Sequence, residues 1–168
     1  MTHIAEAPFA RNKKFEGVLP RIMDAAPEKV FDDLAWLAAQ ICRVPIALVS
    51  VLGARGQRLK SKVGLTAKEA AREFPICDAI IDHRKLLVVA DALQDARLAR
   101  DPLVTASPKV RFFAGMPLIA ADGAVLGTLS IMDRVPRQLS REQIYALEIL
   151  ARQLVGQLES HSELNHAG

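Results

Sequence analysis

The chain has little of several things. It contains one Trp, one Tyr and two Cys, and aromatic residues make up only 5% of it. Cys42 and Cys77 offer neither a disulfide framework nor a zinc spacing. The four histidines, His3, His83, His161 and His166, form no pair at ligand spacing, so a metal centre is not expected. GxSxG, Walker and GxGxxG motifs are absent, and the carboxylates are scattered. No apolar run approaches the ~18 residues of a membrane helix. The N-terminal stretch MTHIAEAPFARNKKFEG lacks an apolar secretory core, so a cytoplasmic location is expected.

What is present is an aliphatic core and balanced charge. Hydrophobic residues make up 51% of the chain and charged residues 24%, with a net charge of +3. A chain of 168 residues suits one domain with a sizeable core. Arg58, Lys60 and Lys62 alternate along RLKSKV. This pattern reads as one solvated face of an edge strand guarded by cations. No aromatic residues interleave for base stacking, so nucleic acid is not an expected partner.

The order of elements follows from periodicity and breakers. Residues 1–14 read as a flexible lead and 15–160 as one domain, with a short helix over Phe15–Ala25. Pro27 opens a strong helix. Its buried stripe is expected at Val30, Phe31, Leu34, Leu37, Ala38 and Ile41, and Val44-Pro45 ends it. Ile46–Leu52 is a continuous apolar run, read as a central strand. RLKSKV follows as a second strand. Cys77–His83 reads as a short helix and Leu86–Ala90 as a short strand. A long excursion from Asp91 to Lys109 is expected to hold a short helix near Asp95–Arg100, and long connections of this kind often carry function.

Val110–Arg134 then reads as a β-hairpin. Asp122-Gly123 supplies the positive φ of its turn, while Leu126, Thr128, Ser130 and Met132 alternate against Val125, Gly127, Leu129 and Ile131. Ser140 and Gln143 form a capping box that starts a last helix, running to about His161 before a frayed tail, 161–168. Strands joined by hairpins and flanked by helices make an α+β fold around an antiparallel sheet.

The segments RFFAGMPL, DG-x-x-LGTLSIMDR-x-PR-x-L and LA-x-Q-x-V-x-x-LE closely resemble bacterial GAF domains. Earlier segments agree, among them PEKVFDDLAWLAAQICRVPIALVSV, KSKVGL, ICDAII and LLVVADALQDARLARDPLV. The resemblance runs from about Lys14 to Glu159. It implies a sheet of five to six strands with the N- and C-terminal helices on one face. Short helices and loops then cover a pocket on the other. It implies a non-catalytic sensory or regulatory module for a small organic molecule or nucleotide.

Mapped onto this chain, that pocket takes apolar walls from Phe74, Ile81, Val89, Phe113 and Met116, with Cys77 and Asp78 beside them. Polar groups converge from Asp91, Asp95, Arg97, Asp101 and Arg111, as small-molecule sites require. Arg111 either donates to a ligand carboxylate or phosphate or pairs with a loop aspartate. The aspartates and Arg97 equally suit loop caps and ion pairs.

Relatives that bind a tetrapyrrole usually follow the attachment cysteine with histidine. Cys77 is followed by Asp78, so a covalent chromophore is not expected and the cofactor is open. Cys77 lies near a helix start, where a thiol pKa falls, and a cysteine-dependent redox enzyme or redox sensor is the alternative reading. A buried, inert Cys77 is the other. On the last helix, Ile144, Leu147, Ala151, Leu154 and Leu158 make a broad apolar face, expected either to meet the core or to form a homodimer. No output segment is expected after Gly168, and a signalling partner protein is expected in its place.

Overall fold

A computed structural model describes residues 29–54, 56–71 and 75–164. The expected lead, the Phe15–Ala25 helix, the Pro27 helix start and Phe74 lie outside the described residues, as does the end of the tail. In chain order the elements are α1 (Lys29–Cys42), β1 (Ile46–Gly53), β2 (Gly56–Val63), α2 (Ala67–Ala70) and α3 (Pro75–His83). Then come β3 (Leu87–Val89), a 3₁₀ turn at Ala92–Gln94, α4 (Pro102–Thr105), β4 (Phe112–Ile119), β5 (Val125–Asp133) and α5 (Arg141–Leu164). The five strands form one antiparallel sheet in the order β2-β1-β5-β4-β3.

The central strands form where the sequence is apolar on both faces. β1 and β4 are buried over most of their length, and β5 almost throughout. Antiparallel strands so buried need cover on both sides. α1 and α5 supply it on one side, packing Phe31, Ala35, Ala38, Leu147, Leu150 and Leu154 against Val49, Phe112, Leu118 and Leu129. The other side is covered by α3, α4 and the 90–111 connection through Ile76, Ile80, Ala92, Leu98, Leu103 and Val104.

α1 and α5 are tied at one end, where Gln143 Nε2 donates to the Ile41 carbonyl at 3.3 Å. Gly127 lets β1 and β5 approach: a Cβ there would meet the Ser50 carbonyl oxygen at 1.9 Å. The β4–β5 turn closes with Gly123 N–H donating to Ala120 O, and Gly123 alone in this turn has positive φ. Asp122 instead uses its carboxylate to accept from Ala124 N. The positive φ expected of the Asp-Gly pair therefore falls on glycine, where it carries no Cβ penalty.

Several expectations change in three dimensions. α1 buries Phe31, Ala35, Ala38, Ala39 and Cys42, while Leu37 is 38% and Ile41 39% exposed. Small alanines let α1 lie close to the sheet, and its core arc rotates away from the larger residues. A bulge opposite Val49/Ser50 turns Lys60 inward, so it does not share the solvated face of Arg58 and Lys62. Its ammonium lies 5.3 Å from the centroid of the Phe31 ring. β2 is nevertheless an edge strand. No helix forms over 95–100; the excursion uses the 3₁₀ turn before it and α4 after it, each capped by an aspartate.

The dimer face expected on α5 is also corrected. Leu147, Ala151, Leu154 and Leu158 are buried in the core of the single chain, with Leu154 0% exposed, and Ile144 is half-buried. Their stripe is wide because α5 packs against both β4 and α1.

Candidate functional site

The sheet face beneath α3 carries an island of polar groups inside an apolar layer. β1 contributes Ser50, and β5 contributes Thr128 and Ser130; all three are buried. Ser50 and Thr128 are direct cross-strand neighbours. Strand alternation places these hydroxyls on the face of Ile46, Leu48 and Met132. Cys77, on the first turn of α3, points at them and is fully buried, with its Sγ 3.9 Å from Ser130 Oγ. At the margin the polar chain continues outward. Thr128 Oγ1 donates to Gln57 Oε1 at 3.3 Å, and Gln57 Nε2 donates to Asp78 Oδ1 at 3.2 Å.

α3 sits directly on the sheet because Gly115 leaves room. A Cβ at Gly115 would meet Ile80 Cδ1 at 2.0 Å and Cγ1 at 2.7 Å. The far end of α3 is fastened by Arg84, whose Nη2 donates to the Gly123 carbonyl at 2.6 Å. A short helix held mainly by apolar contact, over a polar floor, is thus the central arrangement of this face.

Burial decides the chemistry of Cys77. Desolvation raises its pKa to about 11, and the hydroxyls of Thr128 and Ser130 offset only part of this. The expected helix-terminus depression is overwhelmed, because an ion in an apolar layer costs more than a short helix dipole returns. The thiol is neutral at physiological pH. Cys42, in the opposite layer, is likewise raised to about 11 by burial.

Four charged residues of the 90–111 connection pair with one another. Arg111 grips Asp91 with two bonds, Nε–Oδ1 at 3.0 Å and Nη2–Oδ2 at 2.9 Å. This hydrogen-bonded guanidinium holds the Asp91 carboxyl below its ordinary range. Asp91 also accepts from Leu93 N. Arg97 grips Asp95 in the same way at 3.0 and 2.6 Å, again lowering the carboxyl. Asp101 accepts from Leu103 N at 2.9 Å and caps α4. Glu69 caps α2 through Thr66 N and accepts from Ser107 Oγ at 2.7 Å, with Arg134 nearby; its carboxyl is lowered chiefly by the Thr66 amide. Asp133 pairs with Arg137.

Of the expected site residues, Cys77, Val89 and Phe113 come together in the layer under α3, and Ile81 is buried on α3 itself. Asp78 is exposed at the margin. Met116 belongs to the opposite layer, among the α1 and α5 contacts, because it lies an odd number of residues from Phe113 on β4. Asp91, Asp95, Arg97, Asp101 and Arg111 do not converge on a shared point; they form two internal ion pairs and a cap. Sequence reasoning misses Ser50, Gln57, Thr128 and Ser130. The available signal was three small hydroxyl residues interrupting two otherwise apolar strands. Among the described residues no group of His, Cys, Asp and Glu is placed to hold a metal ion, and no helix is long and apolar enough to cross a membrane.

The arrangement has clear relatives. The family model described as GAF domain matches residues 26–158. A cyclic di-GMP phosphodiesterase of Pseudomonas aeruginosa, PA2567, is 31% identical over 146 residues. That match takes in 86% of this chain and 25% of the relative, so the chain spans a quarter of that enzyme's length. The GAF domain of an Acinetobacter phosphoenolpyruvate-protein phosphotransferase superposes with a TM-score of 0.64 at 15% identity, over 91% of this chain and 95% of that one. The blue-light absorbing form of the Thermosynechococcus elongatus PixJ GAF domain gives 0.68 at 18% identity, over 90% and 92%. The structural likenesses carry the fold, and the sequence match carries the family. With the sheet order, the helix pair on one face and the short helices on the other, they establish that the chain belongs to the GAF domain family, whose members are sensory and regulatory.

Proposed function

We propose that this chain is a non-catalytic sensor that binds a small molecule between α3 and the sheet and relays binding to a signalling partner in the cytoplasm. The observation that carries this reading is the buried island of Ser50, Thr128, Ser130 and Cys77 under a short helix. Buried hydroxyls are costly without good partners; Thr128 donates to Gln57, but Ser130 meets a thiol at 3.9 Å, a poor partner. A ligand with hydrogen-bonding groups would serve them better. The named activity of the Pseudomonas relative suggests an output that controls cyclic di-GMP turnover. The redox alternative has a residue, Cys77, but its burial and raised pKa withhold the thiolate that such chemistry needs.

The dimer reading moves to another surface. The only Trp and the only Tyr of the chain are both solvent-facing, Trp36 at 53% and Tyr145 at 60% exposure. Trp36 shares α1 with Leu37 and Ile41, and Tyr145 lies on α5 beside the Gln143–Ile41 tie. Exposed aromatics on adjacent helices favour an interface, and a second copy of the chain is the proposed cover.

A thermal-shift screen of the full chain against a metabolite library tests the ligand reading. A reproducible rise in Tm that is lost in Thr128→Val and Ser130→Ala is the expected result. A ligand whose effect survives both substitutions would move the site elsewhere.

A further inference from the structure

The charge balance around α3 constrains what can enter. The floor is neutral, made of three hydroxyls and a thiol that stays protonated. Several cations around this layer are committed, while Lys85, Arg100 and Lys109 are exposed on the connections that surround it. Arg111 is held by Asp91, Arg97 by Asp95 and Arg137 by Asp133, while Arg134 faces Glu69. Arg84 spends a guanidinium nitrogen on the Gly123 carbonyl. Arg58 alternates to the opposite face from Gln57. At the margin, Asp78 adds a negative charge next to Gln57. An anion arriving here finds the paired guanidiniums engaged, one carboxylate at the entrance, and a low-dielectric layer beyond it. Burying an unpaired ion there is strongly unfavourable.

Resting on the ligand reading above, we propose that the layer under α3 admits a small uncharged ligand that hydrogen-bonds to Ser50, Thr128 and Ser130, and excludes anionic ligands, nucleotides included. α3 is the moving part. Its hold on the layer is mainly apolar, through the buried Ile76, Cys77, Ile80 and Ile81, with side-chain bonds from Gln57 to Asp78 and from Arg84 to Gly123 at its two ends. Lifting α3 breaks few polar bonds and uncovers the hydroxyl floor at once.

Cys77 reports on this opening without any change to the sequence. Methanethiosulfonate reagents transfer their tail to a thiolate: an S–S bond forms at Cys77, methanesulfinate leaves, and the thiol proton goes to solvent. The full chain is treated with two such reagents, one with an uncharged propyl tail and one with a sulfonatoethyl tail. Peptide mapping separates Cys77 from Cys42, and each rate is divided by that of the same reagent with a small free thiol. The propyl reagent is expected to modify Cys77 at least tenfold faster, after this correction, than the sulfonate. Equal corrected rates would mean access through global unfolding and would overturn the proposal. A faster sulfonate would overturn it directly. No reaction at Cys77 in the folded chain would overturn the movement of α3. Charge selection at Cys77 together with a library that yields no stabilising compound would instead defeat the ligand reading and leave the charge selection standing.

Discussion

The two faces of the sheet are built on opposite plans. Toward α1 and α5, the layer is mainly apolar, with Ala, Val, Leu and Phe from two helices meeting four strands, and buried polar side chains enter it from the β2 edge at Lys60 and Ser61. Toward α3, the layer is thinner and mixed, with hydroxyls in its floor and ion pairs along its rim. The first face resembles a domain core, where close packing sets stability. The second keeps polar groups where apolar ones would pack better. Under the proposed function, stability and sensing are divided between the two sides of one sheet.

The largest effect is expected on the α5 side. Leu154 is 0% and Leu158 1% exposed in the single chain. Leu154→Ala should cost about 2–5 kcal/mol. Leu154→Glu with Leu158→Glu should abolish folding, since two buried unpaired charges exceed a marginal stability of about 5–15 kcal/mol. Circular dichroism and denaturant titration read both. A folded, monomeric double glutamate variant would return these leucines to an intermolecular face.

That pair also shows what the sequence could say. The elements themselves were legible, since Ile46–Leu52, the Asp122-Gly123 turn and the Ser140/Gln143 box are local signals. Which way each element faces was not. α1 has large apolar residues on two arcs, and the sheet takes the arc of Ala35 and Ala39, whose small size makes them weak signals. FFAGMPL is apolar at every position, so nothing local separates Phe113 from Met116; only the pairing with β5 assigns the faces. The Arg111–Asp91 pair spans 20 residues and depends on β3 lying beside β4. The site was legible as a region and not as a set of contacts, because its contacts are set by register.

The glycines sharpen the comparison next. Gly127→Ala places a Cβ against backbone, 1.9 Å from Ser50 O, so β1 and β5 must separate; a loss of about 3 kcal/mol or more is expected. Gly115→Ala meets a side chain instead, Ile80, which can yield, and about 1 kcal/mol is expected. Ile80→Val should rescue Gly115→Ala and leave Gly127→Ala unrescued. Equal costs at the two glycines would mean that α3 packs as rigidly as the core helices, against the division drawn above.

A smaller effect separates the rims by pH. The Asp91 carboxyl is held below its ordinary range, first by the Arg111 hydrogen bonds. Its contribution is therefore complete above the ordinary aspartate value of about 3.9 and is lost as pH falls through the lower folded value. Asp91→Asn should flatten the acid limb of the stability curve, and added salt should shrink the difference, because the pair is solvent-accessible. Parallel acid limbs in wild type and variant would remove the ion pair from the stability of the 90–111 connection.

The smallest effect on folding is expected at Trp36, and it is the one that tests assembly. At 53% exposure Trp36 lies outside the packed layer, so Trp36→Ser should change the stability of a monomer by no more than about 0.5 kcal/mol. If a second copy covers α1, the same substitution removes an aromatic anchor from the interface, where such residues carry much of the binding energy. Ile41→Ser, on the same helix beside its tie to α5, should act in the same direction, and Leu93→Ser, also exposed but on the α3 side, should not. Light scattering across a concentration series reads the outcome. A dimer weakened at least tenfold by Trp36→Ser and untouched by Leu93→Ser would put the partner on the α1 face, away from α3. A wild type that stays monomeric at high concentration would leave both faces to a single chain and defeat the dimer. Equal weakening by all three would show that exposure alone, and not the α1 face, sets the effect.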